Sequence, residues 1–523
     1  MNYRAMIIST LFFALISPLS AQETPALPAA QGRNPIIWAD VPDTSVLRVG
    51  DTYYMSSTTM HMVPGLPIMY SKDLINWKLA SYAHYSLGDT VGLNLNNGRS
   101  EYGNGSWASS LRFYKGKFYV STFAISTGKT HIYSTDAPFS GKWEEKSFSP
   151  MLHDSSLFFD DDGRVYMIYA ANNIRIVELK EDLTGIKPGG IDKEIIHQIG
   201  RAAGGQIGLG GEGSQMFKVN GKYYLFNITW PRNDMRTELV SRADSITGPY
   251  ETRVCMKDRG IAQGGIFDSP DGKWYAVLFR DSGAVGRIPY LMPVEWSDGW
   301  PVLGVDGKVP QTLDIPVAND PIPAIVASDD FESSSLNPVW QWNHNPVEKD
   351  WSLTARPGFM RITTGRIDKN ILDAKNMLTQ RTFGPACSAV IKLDVSGMKD
   401  GDCAGLCALQ KTYGYIAALK SGEEKSIAVF SKPDGVHQQA TEFIPLNQNT
   451  VWFKISCDFQ DQKDVARFYY SLNGTDWISL GEELHMVYTL PHFMGYRFGL
   501  FNFATKSAGG TVDFDSYKIS RDK

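Results

Sequence analysis

A turn followed by an apolar strand recurs five times between residues 34 and 300, as VGDTYY at Gly50, KGKFY at Gly116, DGRVY at Gly163, NGKYY at Gly221 and DGKWY at Gly272. Successive glycines lie 66, 47, 58 and 51 residues apart, and repeats of about 50 residues are the mark of propeller blades. Glycine gives each hairpin the positive φ that a tight turn needs, and the alternating apolar and aromatic residues on either side suit strands packed face to face. Helical periodicity is nearly absent. The chain is expected to be all-β, with a five-bladed β-propeller first.

The same repeat selects a set of residues. Nine positions before the glycine stand Trp107, Asp154, Glu212 and Gln263, and seven before Gly50, if that hairpin is two residues tighter, stands Asp43. Equivalent residues of equivalent blades converge on the propeller axis, so these five should ring the mouth of one pocket. Three are carboxylic acids. Asp and Glu often open strands as turn residues, which would account for any one of them. It does not account for three at one repeat position, because like charges repel in a confined site. Acid–base chemistry is the better explanation.

The first 21 residues carry Arg4, an apolar run from Met6 to Ile16, and Pro18-Leu19-Ser20-Ala21 before Gln22. This reads as a secretory signal peptide, and without a cysteine at the cleavage point a periplasmic or secreted protein is expected. The apolar run is too short to span a bilayer, and no later stretch approaches the roughly 20 apolar residues that spanning requires. The formal net charge is −5 with no long Lys/Arg run, which argues against nucleic acid or an anionic membrane as partner and favours a neutral ligand. The five cysteines, Cys255, Cys387, Cys403, Cys407 and Cys457, leave at least one unpaired. Cys403 and Cys407 are the candidates for a bridge, and with no Cys/His set beside them no metal site is expected there.

A proline-spaced stretch (Pro310, Pro316, Pro321, Pro323) marks a linker, after which alternating strands resume, as in residues 388–395 and 466–472. The expected organisation is a signal peptide over residues 1–21, an N-terminal segment over 22–33, the propeller over 34–308, a linker over 309–326 and a jelly-roll-like β-sandwich over 327–523. The tryptophans of this last unit (Trp340, Trp342, Trp351, Trp452, Trp477) are read as core residues rather than as a sugar platform.

Several motifs resemble glycoside hydrolase family 43. They are Asn34-Pro35-Ile36-Ile37, Pro42-Asp43-Thr44-Ser45, Tyr70-Ser71-Lys72-Asp73-Leu74, His153-Asp154-Ser155-Ser156-Leu157-Phe158, Gly211-Glu212-Gly213-Ser214, Gly286-Arg287, and Glu295-Trp296-Ser297-Asp298-Gly299-Trp300-Pro301. The C-terminal unit resembles the sandwich appended to many exo-acting members. The resemblance implies Asp43 as general base, Asp154 as pKa modulator and Glu212 as general acid, the three acids that the repeat also selects. Thr44 stands where the family usually has proline. Gln263 stands where many members have a histidine near a central calcium or water, which weakens the case for a structural calcium; no cofactor is required.

Members of that family invert anomeric configuration, which calls for carboxyls about 6.5–9.5 Å apart, an ionised Asp43 and a Glu212 whose pKa is raised by burial and by the charge of Asp154. Trp107 is expected to wall the terminal sugar, and Arg287 to bond a hydroxyl and orient Asp154. His61 and Met62 fall in a first-blade loop that lines the pocket in similar enzymes, and Phe493 would reach over as a lid. The expected activity is an exo-acting, inverting glycosidase releasing terminal α-L-arabinofuranose from plant cell-wall glycans. β-D-Xylosidase is the second reading, and a non-catalytic glycan-binding protein is the alternative from another class. A retaining fructan-type enzyme is disfavoured, because no Asn-Asp-Pro-Asn-Gly motif opens the first blade.

Overall fold

The computed structural model describes residues 30–317 and 322–522. The expected signal peptide and most of the 22–33 segment lie outside the described residues.

Each of the five repeats is a four-stranded antiparallel sheet. Blade I comprises Ser45–Val49, Thr52–Ser56, Gly65–Ser71 and Lys78–His84. Blade II comprises Ser110–Tyr114, Lys117–Ala124, Lys129–Thr135 and Glu144–Phe148. Blade III comprises Ser156–Phe159, Val165–Tyr169, Ile174–Leu179 and Asp192–Ile196. Blade IV comprises Ile207–Val219, Lys222–Pro231, Thr237–Ala243 and Glu251–Met256. Blade V comprises Ala262–Asp268, Trp274–Asp281, Arg287–Ser297 and Trp300–Leu303. The first strands of successive blades touch one another in a closed ring, blade V returning to blade I. Local chemistry shapes the hairpins: Lys115 and Gly116 (φ 46° and 80°), and Asn220 and Gly221 (φ 49° and 78°), are two-residue loops with both central residues left-handed. That backbone matches the twist of the flanking strands.

Serines stitch the ring together. The Leu111 N–H donates to Ser45 Oγ at 3.0 Å, Leu157 N–H to Ser110 Oγ at 3.1 Å and Met216 N–H to Ser156 Oγ at 2.9 Å. Arg112 crosses the channel from blade II to blades III and IV, donating to Leu157 O, Ser156 Oγ and Met216 O. These bonds fix the inner strands to one another, so residues at their mouths are held in register.

The C-terminal unit is two packed antiparallel sheets. One is centred on Asp402–Leu409, Arg497–Ala504 and Leu378–Arg381, the other on Ala386–Asp394, Thr450–Asp458 and Thr511–Arg521. Trp340 and Trp342 are core residues as expected, whereas Trp351, Trp452 and Trp477 are only half-buried. All five cysteines are free. Cys403 and Cys407 share one strand, and four residues of strand separate them by about 13 Å, beyond the roughly 7 Å that a disulfide can bridge. Within the segment read as a linker, Thr312–Val317 is a strand paired with Ala30–Arg33.

The two units share one sheet. Met62–Val63, from the blade I loop, pairs with Gln341–Asn343 and so extends the first sandwich sheet. Main-chain bonds reinforce this seam, among them Tyr496 N–H to Ala284 O at 2.9 Å, Gly384 N–H to Trp38 O at 2.8 Å and Asn345 N–H to Leu93 O at 2.9 Å. The sandwich loop that carries Tyr488 and Phe493 is thereby brought to the mouth of the propeller.

Candidate active site

Asp43 and Asp154 each sit two residues before the inner strand of their blade, whereas Glu212 and Gln263 lie within theirs. Asp43, Asp154 and Gln263 all have left-handed backbones (φ 53°, 46° and 59°), as does Gly213 beside Glu212 (φ 65°). Side-chain-bearing residues take this conformation only where the surroundings impose it, and such strain concentrates at functional sites.

Asp43 is 5% exposed and accepts a hydrogen bond from Arg287 Nη1 at 3.0 Å. Arg287 is itself buried and has its main-chain N–H on Asp40 Oδ1 at 2.8 Å. Its Nε lies 3.3 Å from Asp281, which also pairs with Arg236 at 2.6 Å. Burial raises the Asp43 carboxyl above its ordinary value, and the Arg287 charge works against that rise. Asp154 accepts from the Gly213 N–H at 3.2 Å. Burial first, then the charges of Glu212 and Asp43, push Asp154 up to about 7, against the pull of His153 and Arg287. Burial thus works against the negative charge expected of Asp154 beside Glu212. The Glu212 side chain is the more open of the three at 21% exposed, and its Oε2 lies 3.2 Å from His153 Nε2. Burial opposes protonation of His153, but the bond to Glu212 and the nearby carboxylates outweigh it and raise the imidazole above 6.5.

One wall of the site is aromatic. Trp107 stacks on Phe493 with ring centroids 5.0 Å apart and planes at 23°. The Arg287 guanidinium lies 4.4 Å from the centre of the Phe493 ring on one side and 5.0 Å from that of Phe279 on the other. Asp43, Asp154, Glu212, Trp107, Arg287 and Phe493 thus come together, and Gln263 packs beside Gly213.

His61 and Met62 do not line this site. His61 is 1% exposed, bonds Asn343 at 3.0 Å and packs among Tyr102, His344 and His492. Met62 is fully buried in the seam strand among Met377, Cys403 and Cys407. The loop that carries them is captured by strand pairing with the sandwich, which buries both side chains in the seam.

His153, Arg236, Asp281, Tyr488 and Glu238 escaped the sequence reading. His153 stood in plain view next to Asp154. Asp281 and Glu238 lie on second and third strands, Arg236 in the turn before a third strand and Tyr488 on the sandwich loop, where no repeat position flags them.

A central calcium fits poorly. Calcium takes six to eight oxygens, whereas Gln263 offers one amide oxygen, and its main-chain N–H is tied to Glu238 at 2.6 Å. His153, Asp154 and Glu212 bring one donor atom each within 4.8 Å of one another and could hold a borderline ion, but only by occupying the groups available for proton transfer.

Residues 32–301 match the model of glycosyl hydrolases family 43. The chain belongs to glycoside hydrolase family 43. Residues 328–520 match the β-xylosidase C-terminal concanavalin A-like domain. A solved structure described as a bifunctional GH43-CE protein of Bacteroides eggerthii is 55% identical and superposes with a TM-score of 0.93 over 95% of this chain, which spans 64% of that one. A β-xylosidase of Formosa agariphila is 28% identical over 94% of this chain and 90% of its own length. A non-reducing end α-L-arabinofuranosidase of Bacteroides ovatus is 28% identical over 72% of this chain and 73% of its own. This family 43 protein is accordingly a glycosidase that hydrolyses glycosidic bonds on a five-bladed propeller with an appended sandwich.

Proposed function

We propose that this enzyme is an exo-acting, inverting glycosidase that removes a terminal pentose from plant hemicellulose. The observation that carries the reading is the division of labour at the propeller mouth. One carboxyl, Asp43, is buried against a guanidinium at 3.0 Å, and another, Glu212, stands open beside a histidine. Arg287 favours the ionised form of Asp43, as a base that polarises water requires, and burial makes that base stronger. Glu212, the open carboxyl, is the proton donor to the leaving oxygen. Asp154, which feels the charges of both, acts as the modulator. Stacking of Trp107 on Phe493 closes one side of the pocket, which supports action at a chain end.

For the sugar, α-L-arabinofuranose is the first reading. β-D-Xylose is the second, favoured by the β-xylosidase type of the appended sandwich and by the name of the Formosa agariphila relative. Release of nitrophenol from α-L-arabinofuranoside and β-D-xyloside separates the two. Glu212→Gln should lose about 10²–10⁴ of the rate on whichever is cleaved, the usual contribution of one proton-transfer group. Silence on both substrates would favour a binding protein instead. The reaction needs no cofactor, so prolonged treatment with EDTA should leave the rate unchanged; a loss that calcium restores would contradict this. Export through cleavage before Gln22 completes the proposal, and N-terminal sequencing of the mature protein tests it.

A further inference from the structure

Glu238 lies on the third strand of blade IV and is fully buried. Its Oε2 accepts the Gln263 N–H at 2.6 Å, and its Oε1 has no hydrogen-bond partner among the described residues. No cationic side chain offsets its burial, which alone pushes the carboxyl up to about 8. A buried carboxyl with an idle oxygen is rare enough to need a reason. The strand register supplies one. Glu212 faces Ile228, and Ile228 faces Glu238, so the two acids belong to one cross-strand row of blade IV. Gln263 links them a second way. Its left-handed backbone (φ 59°) is the segment that Glu238 holds, and its side chain lies so close over Gly213 that an added Cβ there would meet Gln263 Cδ at 2.8 Å. Gly213 directly follows Glu212.

We propose that Glu238 is a positioning residue for the acid arm: it fixes Gln263 so that the Gln263 side chain seats Gly213 and aims the Glu212 carboxyl at the leaving group. This rests on the reading of Glu212 as general acid. A residue acting this way leaves a signature that simple structural support does not, because a displaced acid harms poor leaving groups far more than good ones.

The test is a series of aryl glycosides of the preferred sugar, from 2,4-dinitrophenyl to phenyl, assayed with Glu238→Leu, Glu238→Gln and Gln263→Ala. Glu238→Leu removes the acceptor at similar bulk and should lower kcat on the phenyl glycoside by about 10²-fold, the usual effect of misplacing a catalytic group by an ångström, with only a few-fold loss on the dinitrophenyl glycoside. Glu238→Gln keeps an oxygen for the Gln263 N–H and should restore both rates. Equal losses across the series, or none, would overturn the proposal. Should Glu238→Leu fail to fold, Gln263→Ala carries the same test, since it strips the side chain over Gly213 and should show the same leaving-group dependence. Glu212→Gln run alongside separates the two claims. If its own loss ignores the leaving group, the acid assignment fails; if only Glu238→Leu and Gln263→Ala ignore it, the positioning role alone fails.

Discussion

Arg287 touches more of the site than any carboxyl does. It bonds Asp43, approaches Asp281, and lies between the rings of Phe279 and Phe493. A buried guanidinium needs such neighbours, because removing either partner of a buried ion pair strands a charge. Phe493 covers its outer face and also supplies the stacking partner of Trp107. Phe493→Ala should therefore lower kcat/KM by up to about tenfold, the scale of losing one apolar wall contact to a bound substrate, about 1–1.5 kcal/mol. The unfolding temperature should move little, since the ring is only half-buried. An unchanged kcat/KM would remove Phe493 from the pocket wall.

The elements of the propeller are written locally, which is why they are legible. A hairpin with Lys115-Gly116 or Asn220-Gly221 at its tip is decided by a few neighbouring residues, and five such hairpins at a regular interval leave few folds open. Asp154 and Glu212 were legible for the same reason, each nine residues before its turn glycine, with Asp43 seven before its own. What escaped is made by partners far apart in sequence. The loop bearing His61 and Met62 looked like a pocket edge until Met62–Val63 paired with Gln341–Asn343, nearly 280 residues away, and nothing local in the loop announces that pairing. Glu238 was illegible because a buried acid on a third strand resembles any edge acid until its neighbours are known.

The seam has a pH consequence of its own. His61, His344 and His492 pack together there, and burial lowers all three, His61 to about 3. A histidine neutral in the fold but ordinary when unfolded takes up its proton in the unfolded chain first. Stability is then full above about pH 6.5 and falls as the pH drops toward the folded values, by up to about 1.4 kcal/mol per pH unit for each histidine. Raised groups such as Asp154 and Glu238 act in the opposite sense over this range, so the test is a difference: as the pH is lowered from 7.5 to 5 in thermal unfolding, the wild type should lose stability relative to His61→Gln. An identical slope in the variant would place the acid sensitivity elsewhere.

Across the whole molecule the propeller and sandwich share a core as well as a sheet. Ile36, Val41 and Val285 belong to the same buried cluster as Phe383, Leu406 and Phe498. The sandwich thus reaches the site: His492 packs in the seam while the next residue, Phe493, stacks on Trp107 and covers Arg287. The repeat places the acids and the sandwich loop closes one wall, and on the proposed reading a sugar held there meets Asp43 as base and Glu212 as acid. The most direct test is proton NMR of the anomeric signals in the first minutes of hydrolysis of the preferred glycoside. Inversion predicts that the first sugar released has the anomeric configuration opposite to that of the substrate, followed by slow mutarotation. A first product of unchanged configuration would mean a covalent glycosyl–enzyme step, and would contradict the roles given to Asp43 and Glu212.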